Sequence, residues 1–172
     1  FMQDLAPLAG EAAPPDMLFI DSAGENAAKK NSDLMVGRGR YPGLDLPLAA
    51  MALFALQAHA PSGGAGNRTS MRGGGPMVTL VRPAAEAPAP LWSLVWANVP
   101  EGRPLPPDRL GELPWMAPTR TSEAGQVVEQ PPRQTPARET FFGMPRRLRL
   151  VVEGDHVTGV VQRPWGTNYG AW

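Results

Sequence analysis

The feature that most limits what this chain can fold into is its content of proline and glycine, 21 and 19 of 172 residues. Proline fixes its own φ angle and lacks the amide donor that helix interiors and central strands need. Glycine in the middle of a helix or strand is entropically costly. Because 42% of the residues are hydrophobic, the chain can still build a core. We therefore expect a folded unit of short elements joined by long irregular loops, which is where binding groups usually lie.

Residue types that commonly carry catalysis or bind metals are scarce. The chain has no cysteine and only two histidines, His59 and His156, so disulfides and thiolate metal sites are excluded. Neither a phosphate-binding Walker motif nor the Gly-x-Ser-x-Gly elbow of serine hydrolases occurs. We therefore expect no metal, no cofactor and no catalytic residue, and a protein that is not an enzyme.

No segment is typical of a membrane span. The longest apolar stretch, around residues 46–56, is shorter than the ~20 residues that a spanning helix needs. The expected location is the cytoplasm, with no membrane partner. Since the chain opens at Phe1 instead of an initiator methionine, we interpret it as an internal piece of a longer protein.

Hydrophobic spacing predicts few regular elements. Asp45 caps a predicted helix that has Pro47 in its first turn and ends by residue 61. Residues 91–99 fit both a helix and a strand, and we favour the helix. Strands are predicted at 77–81 and 146–152, the latter forming a hairpin with 157–162 across Gly154 and Asp155. The predicted class is α+β, a mixed irregular domain with short strands, few helices and long Gly/Pro-rich loops. Tryptophans with apolar neighbours are expected in the core; the chain has five (Trp92, Trp96, Trp115, Trp165 and Trp172).

Positive charge is concentrated in the middle of the chain and is carried mainly by arginine. Residues 34–82 hold five arginines against one acid, Asp45. The planar guanidinium binds phosphate or a base edge through paired hydrogen bonds, which favours a nucleic-acid partner. Arginine-rich composition is also common in high-GC genomes, so charge alone does not decide the function.

The segment 61–76 contains six glycines, two arginines and no acid. Glycine lets the backbone approach a ligand closely and turn successive amide groups towards an anion or a base edge. Such a segment suits a phosphate backbone or a DNA groove. The alternative interpretation is a flexible surface loop without a ligand.

Several motifs in a fixed order carry a resemblance to a known family. They are Ser-Met-Arg-Gly-Gly-Gly-Pro at 70–76, Leu-Pro-Trp at 113–115, Pro-Thr-Arg-Thr-Ser-Glu at 118–123 and Gly-Met-Pro-Arg-Arg-Leu-Arg-Leu at 143–150. In these the chain resembles the CasA family, the large subunit of the type I-E CRISPR Cascade complex, over essentially its whole length. Some relatives carry a Cys-x-x-Cys cluster that is absent here, so no metal site is carried over.

The resemblance implies a non-catalytic subunit that recognises the protospacer-adjacent motif in duplex DNA and aids strand separation in antiviral defence. A glycine loop of that family enters the minor groove, which the resemblance places at 70–75. A second loop, placed at 21–43, contacts the guide RNA and neighbouring subunits. The resulting DNA-binding candidates are Asn67, Arg68, Ser70, Arg72, Gly73, Gly74 and Gly75. The candidates for the guide-RNA and subunit loop are Lys29, Lys30, Asn31, Arg38 and Arg40.

The implied partners are the other Cascade subunits, the guide RNA, double-stranded target DNA and the helicase-nuclease that is recruited after target binding. Residues 1–172 would then form part of the large subunit's N-terminal domain, truncated at both ends and without the C-terminal helical bundle. Two other functions stay open: a structural or protein-interaction module that binds partners through Pro-rich loops, and, as a distant third, a hydrolase.

The lack of cysteine and the separation of the two histidines lead to a first prediction. The purified protein should contain no stoichiometric divalent metal, because no set of soft or imidazole ligands is available at a recognisable spacing. Elemental analysis by plasma mass spectrometry checks this. About one zinc ion per chain would contradict it.

Overall fold

The computed structural model describes residues 1–34, 36–59, 62–63, 66–70, 81–84, 89–99, 102, 105–128 and 139–170. The helices are α1 (Glu25–Lys29), α2 (Leu46–His59), α3 (Leu91–Trp96) and α4 (Glu139–Phe142). The strands are β1 (Leu44–Asp45), β2 (Arg147–Glu153) and β3 (His156–Arg163). Short 3-10 helices cover Pro15–Leu18, Pro107–Glu112 and Pro114–Met116. Few helices and one small sheet joined by long connections confirm the predicted irregular α+β class.

The sheet is antiparallel with the order β1-β3-β2, and its centre is the predicted hairpin of β2 and β3. Gly154 makes the turn at a φ of 62°, a conformation that glycine adopts without steric cost. The pairing slips between Val151 and Val152, so that Thr158 is the extra residue of a bulge in β3. The period-two spacing of β2 predicts that Leu148, Leu150 and Val152 share a buried face. This holds at the buried Leu148 but is wrong at Val152, which is 49% exposed.

The outer edge of β2 is covered by the first residues of the chain. The Asp4 amide donates to the Leu148 carbonyl at 2.8 Å, and the Leu150 amide donates to Oε1 of Gln3 at 3.0 Å. Arg149 adds a bond from Nη1 to the Asp4 carbonyl at 2.7 Å. Backbone groups that would otherwise lack a partner are thereby satisfied.

Helix α2 packs its buried face against the sheet and begins and ends where the sequence predicts. Ala49 and Leu53 are buried on this face, whereas Leu46 and Met51 are exposed. The core consists of apolar side chains from α2, the sheet and the N-terminal segment. Its members are Met2, Leu18, Leu44, Ala49, Ala52, Leu53, Leu56, Leu148, Val157 and Val160.

A fully buried amide, Gln57, joins three parts of the chain. Its Nε2 donates to the carbonyls of Met2 at 3.1 Å and Arg146 at 2.9 Å. Its Oε1 accepts the Arg146 amide at 3.0 Å. One side chain of α2 thus ties the N-terminal segment to the start of β2.

The tryptophans do not all lie in the core as expected. Trp115 does pack between the rings of Phe1 and Phe142, with centroid distances of 5.0 and 5.7 Å. The prediction is wrong for Trp92 and Trp96, which are 70% and 61% exposed. These two stack on each other at 5.5 Å, because residues four apart lie on the same side of a helix. The prediction is also wrong for Trp165, which is 38% exposed. Trp172 lies outside the described residues.

The predicted strand at 77–81 also lies outside the described residues, apart from Val81, which is not in a strand. Val81 is held by Asn98, whose Oδ1 accepts the Val81 amide and whose Nδ2 donates to the Val81 carbonyl at 2.8 Å. Within the described ranges, no helix is long and apolar enough to cross a membrane.

The position of Gln57 generates a second prediction. Gln57→Leu should lower the free energy of unfolding by at least about 2 kcal/mol, because it leaves the buried amide and carbonyl of Arg146 without their partner. Denaturant unfolding followed by tryptophan fluorescence measures this. The exposed Met51→Leu on the same helix is the control and should change stability by less than about 0.5 kcal/mol. Equal stability of both variants would contradict the bridging role.

Candidate nucleic-acid interface

The glycine-rich segment (61–76) is attached to the body of the domain near its middle. The Trp165 amide donates to the Gly66 carbonyl at 2.9 Å. Gly66 has a φ of 80°, and a Cβ placed on it would lie 2.9 Å from the Trp165 ring. Both the backbone conformation and the close approach therefore require glycine at this position.

A second attachment involves the neighbouring residue. Oδ1 of Asn67 accepts a hydrogen bond from Nε2 of Gln162 at 2.8 Å, which ties the segment to the end of β3. The Gly63 amide donates to the Asn67 carbonyl at 3.2 Å. Asn67, predicted as a DNA contact, thus has its side-chain oxygen directed at the sheet.

Arg68 makes the third attachment. Its Nε donates to Oγ of Ser122 at 2.9 Å, and its guanidinium carbon lies 5.3 Å from the centroid of the Trp165 ring. Cation–π contacts of this kind stabilise an arginine over an indole. The side chain is half-buried.

Ser122 connects this attachment to the rest of the domain. It is 1% exposed, donates its hydroxyl to the Gly166 carbonyl at 2.7 Å and donates its amide to the Trp165 carbonyl at 3.2 Å. Gly166 packs so closely on the backbone of Pro145 that a Cβ would lie 1.9 Å from the Pro145 carbonyl oxygen. We call Arg68, Ser122, Trp165 and Gly166 the anchor.

A buried arginine lies beside the beginning of the same segment. Arg146 is nearly inaccessible, and a Cβ on Gly63 would come within 2.8 Å of its Nη1. Burial lowers the pKa of the Arg146 guanidinium, because desolvation penalises the charged form. Gly63 therefore leaves space that this cation occupies.

The remaining DNA-binding candidates are described only in part. Ser70 is buried, and its Oγ has no hydrogen-bond partner within the described residues. Arg72, Gly73, Gly74 and Gly75 lie outside the described residues. Their contact with DNA stays a prediction.

The second predicted loop, 21–43, is not irregular throughout, because it contains helix α1 (Glu25–Lys29). Ion pairs within the segment hold it closed. Arg38 binds both carboxylate oxygens of Asp33, with Nη2 to Oδ1 at 2.6 Å. The same Nη2 donates to the carbonyl of Ala28 at 2.8 Å and to Oδ1 of Asn31 at 3.1 Å. The Arg38 pair lowers the pKa of the Asp33 carboxyl to about 2.

Arg40 closes the base of this loop. It forms a two-pronged pair with Asp21 at 3.1 and 2.9 Å, and the hydrogen bonds lower the pKa of the Asp21 carboxyl. Its guanidinium also lies over the rings of Phe19 and Tyr41 at 5.6 and 5.5 Å. The Asp16 carboxylate accepts the backbone amides of Arg40 and Tyr41.

The structure therefore divides the candidates into two clusters. Lys29, Lys30, Asn31, Arg38 and Arg40 belong to the loop held by acids, where both lysines are exposed. Asn67 and Arg68 belong to the anchor and the end of β3. Sequence reasoning missed the partners in both. No spacing in the sequence marks Asp21 and Asp33 as partners of these arginines, and Ser122 is 54 positions away from Arg68, a separation without a periodic signal.

The chain is thus an irregular α+β domain whose candidate interface is an anchored glycine-rich segment together with an ion-paired loop. Compared with protein-family models, residues 1–172 match that of CRISPR-associated protein Cse1 (CRISPR_cse1), and the chain belongs to this family. Membership makes it a subunit of the CRISPR Cascade complex. No curated protein matches the chain.

The Asp33–Arg38 pair generates a third prediction. Carboxyl NMR should give Asp33 a titration midpoint of about 2, and Arg38→Gln should raise the midpoint towards the ordinary ~3.9. Since the folded pKa lies below the unfolded one, the pair stabilises the loop fully above about pH 4 and loses its effect as the pH falls towards about 2.

The matched control is Arg40→Gln, which removes the other arginine of the loop. It should raise the midpoint of Asp21 and leave that of Asp33 unchanged. If Asp33 titrates normally in the unmodified protein, the pair does not close this loop in solution.

Proposed function

We propose that this Cascade subunit recognises the protospacer-adjacent motif in duplex DNA through the glycine-rich segment and helps to start strand separation, within a type I-E system that protects the cell against foreign DNA. Family membership supports a role in an RNA-guided complex. In such systems the protein reads a short motif, while base pairing with the guide RNA reads the rest of the target.

The observation that carries the proposal is the three-point attachment of residues 66–68 to Trp165, Gln162 and Ser122. It fixes residues 66–68, which precede the glycines at 73–75 in the same segment. A backbone without side chains suits the minor groove, which is about 6 Å wide and presents a degenerate pattern. Arg72 supplies the cation for a phosphate, because the segment contains no acid.

The loop at 21–43 is proposed to contact the guide RNA and neighbouring subunits. Arg38 and Arg40 shape this loop through Asp33 and Asp21. The exposed Lys30, which forms no ion pair within the described residues, is the cation best available to an RNA phosphate. Target binding would then recruit a helicase-nuclease to cut the DNA, and this chain would contribute no catalytic group.

One observation favours a second function, that of a protein-interaction module. Helix α3 buries none of its residues within the described structure and exposes Leu91, Trp92, Val95 and Trp96. Large exposed apolar patches typically mark protein interfaces. Salt-dependent binding of duplex DNA distinguishes the two functions, because phosphate contacts release counterions and apolar contacts do not.

A fourth prediction tests the glycines. Gly73→Leu should abolish the preference of assembled Cascade for targets with a correct motif, because a branched side chain does not fit beside a backbone in the minor groove. Subunit stoichiometry is confirmed first, and binding is then titrated with correct and altered motifs. A variant that fails to assemble would instead point to a strained glycine needed for folding.

The matched control is Gly102→Leu, at a glycine with nothing within 4 Å of an added Cβ. It should keep both assembly and motif preference. If the assembled Gly73→Leu complex prefers the correct motif as strongly as the unmodified complex does, the glycine-rich segment is not the reader.

A further inference from the structure

We propose that Arg68 is a positioning residue: its guanidinium holds residues 66–68 of the glycine-rich segment against the anchor, and Arg68 does not itself bind a DNA phosphate. This inference rests on the proposed function. It assigns different roles to Arg68 and Arg72, although both are loop arginines without an acidic neighbour in sequence.

The first argument is the orientation of the guanidinium. An arginine grips phosphate with two adjacent N–H groups of its planar fork. In Arg68 one such edge faces Ser122, with Nε 2.9 Å from Oγ and Nη2 3.5 Å from the carbonyl oxygen. One face of the plane lies over Trp165. The Nε/Nη2 edge of the Arg68 guanidinium is therefore turned towards the domain and used there.

The second argument is that the Ser122 hydroxyl oxygen accepts a hydrogen bond from Arg68. Its hydroxyl hydrogen is donated to the Gly166 carbonyl at 2.7 Å, which leaves an oxygen lone pair in a buried position. Arg68 supplies the donor for it. Removing either partner leaves a polar group without its hydrogen bond at a site with little access to water, and such groups are costly to bury.

The third argument is mechanical. Gly66, Asn67 and Arg68 are each fixed to a different partner, and the partner of Arg68 is fixed in turn through Gly166 on the backbone of Pro145. Three consecutive residues of the glycine-rich segment are thus held in place on the domain. Pre-organisation of this kind lowers the conformational entropy lost on binding.

Ser122→Ala separates positioning from charge, because it removes the hydrogen bond between Arg68 and Ser122 without changing any charge. The test uses fully assembled Cascade and fluorescent duplexes with a correct or an altered motif, titrated at several salt concentrations. We expect Ser122→Ala and Arg68→Gln each to reduce the preference for the correct motif about fivefold to tenfold, equivalent to one lost hydrogen bond. Affinity for the altered motif and the salt slope should stay unchanged in both variants.

The double variant should lose no more than either single variant, because the two side chains act through one contact. Arg68→Lys should behave like Arg68→Gln, since it keeps the charge but loses the planar fork. Arg72→Gln should reduce the salt slope by about one. Arg109→Gln is the control, since this exposed arginine pairs with Glu112 outside the anchor, and it should change none of these quantities.

The inference is overturned if Arg68→Gln reduces the salt slope by about one while Ser122→Ala and Arg68→Lys keep full motif preference, since Arg68 then acts as a phosphate contact. It is also overturned if the double variant loses as much motif preference as Ser122→Ala and Arg68→Gln lose together. Should Ser122→Ala fail to assemble, the comparison of Arg68→Lys with Arg68→Gln decides between the roles. A failure of the proposed function looks different, because Gly73→Leu would then keep the preference for the correct motif.

Discussion

The structure depends on one buried amide. The side chain of Gln57 makes three hydrogen bonds that join helix α2 to the N-terminal segment and to the residue that precedes β2. A polar group in this position specifies one arrangement, because any other arrangement would leave it unsatisfied in the core. The hydrogen bonds of Gln57 to Arg146 hold the start of the hairpin in place. The anchor packs on the neighbouring Pro145 and is positioned by the same contact.

Sequence reasoning predicts the elements that are local. The helix after Asp45 and the hairpin across Gly154 follow from residue spacing and turn chemistry, and both are found where expected. The bulge at Thr158 could not be predicted, because nothing in the alternation of β2 shows which partner residue is skipped. The exposure of Trp92 and Trp96 was missed for a related reason. Apolar neighbours indicate burial only if another surface covers them.

The candidate site shows the same limit more clearly. The sequence indicates which residues are basic and where glycine is abundant, and the resemblance orders them into two loops. It does not show that Arg38, Arg40 and Arg68 already have partners in the folded chain. These partners lie between 5 and 54 positions away. A count of charges therefore overstates the positive potential that a nucleic acid would meet, because much of it is used in shaping the loops.

The cover over the outer edge of β2 has a consequence for behaviour in concentrated solution. An uncovered edge strand offers a row of free amide and carbonyl groups to any other extended chain, and such edges promote aggregation. In this domain Gln3 and Asp4 occupy that edge at Leu148 and Leu150. Gln3 and Asp4 thus protect the edge strand from pairing with another copy of the chain. If these two residues detached, β2 would become an exposed edge strand to which β2 of another copy could pair.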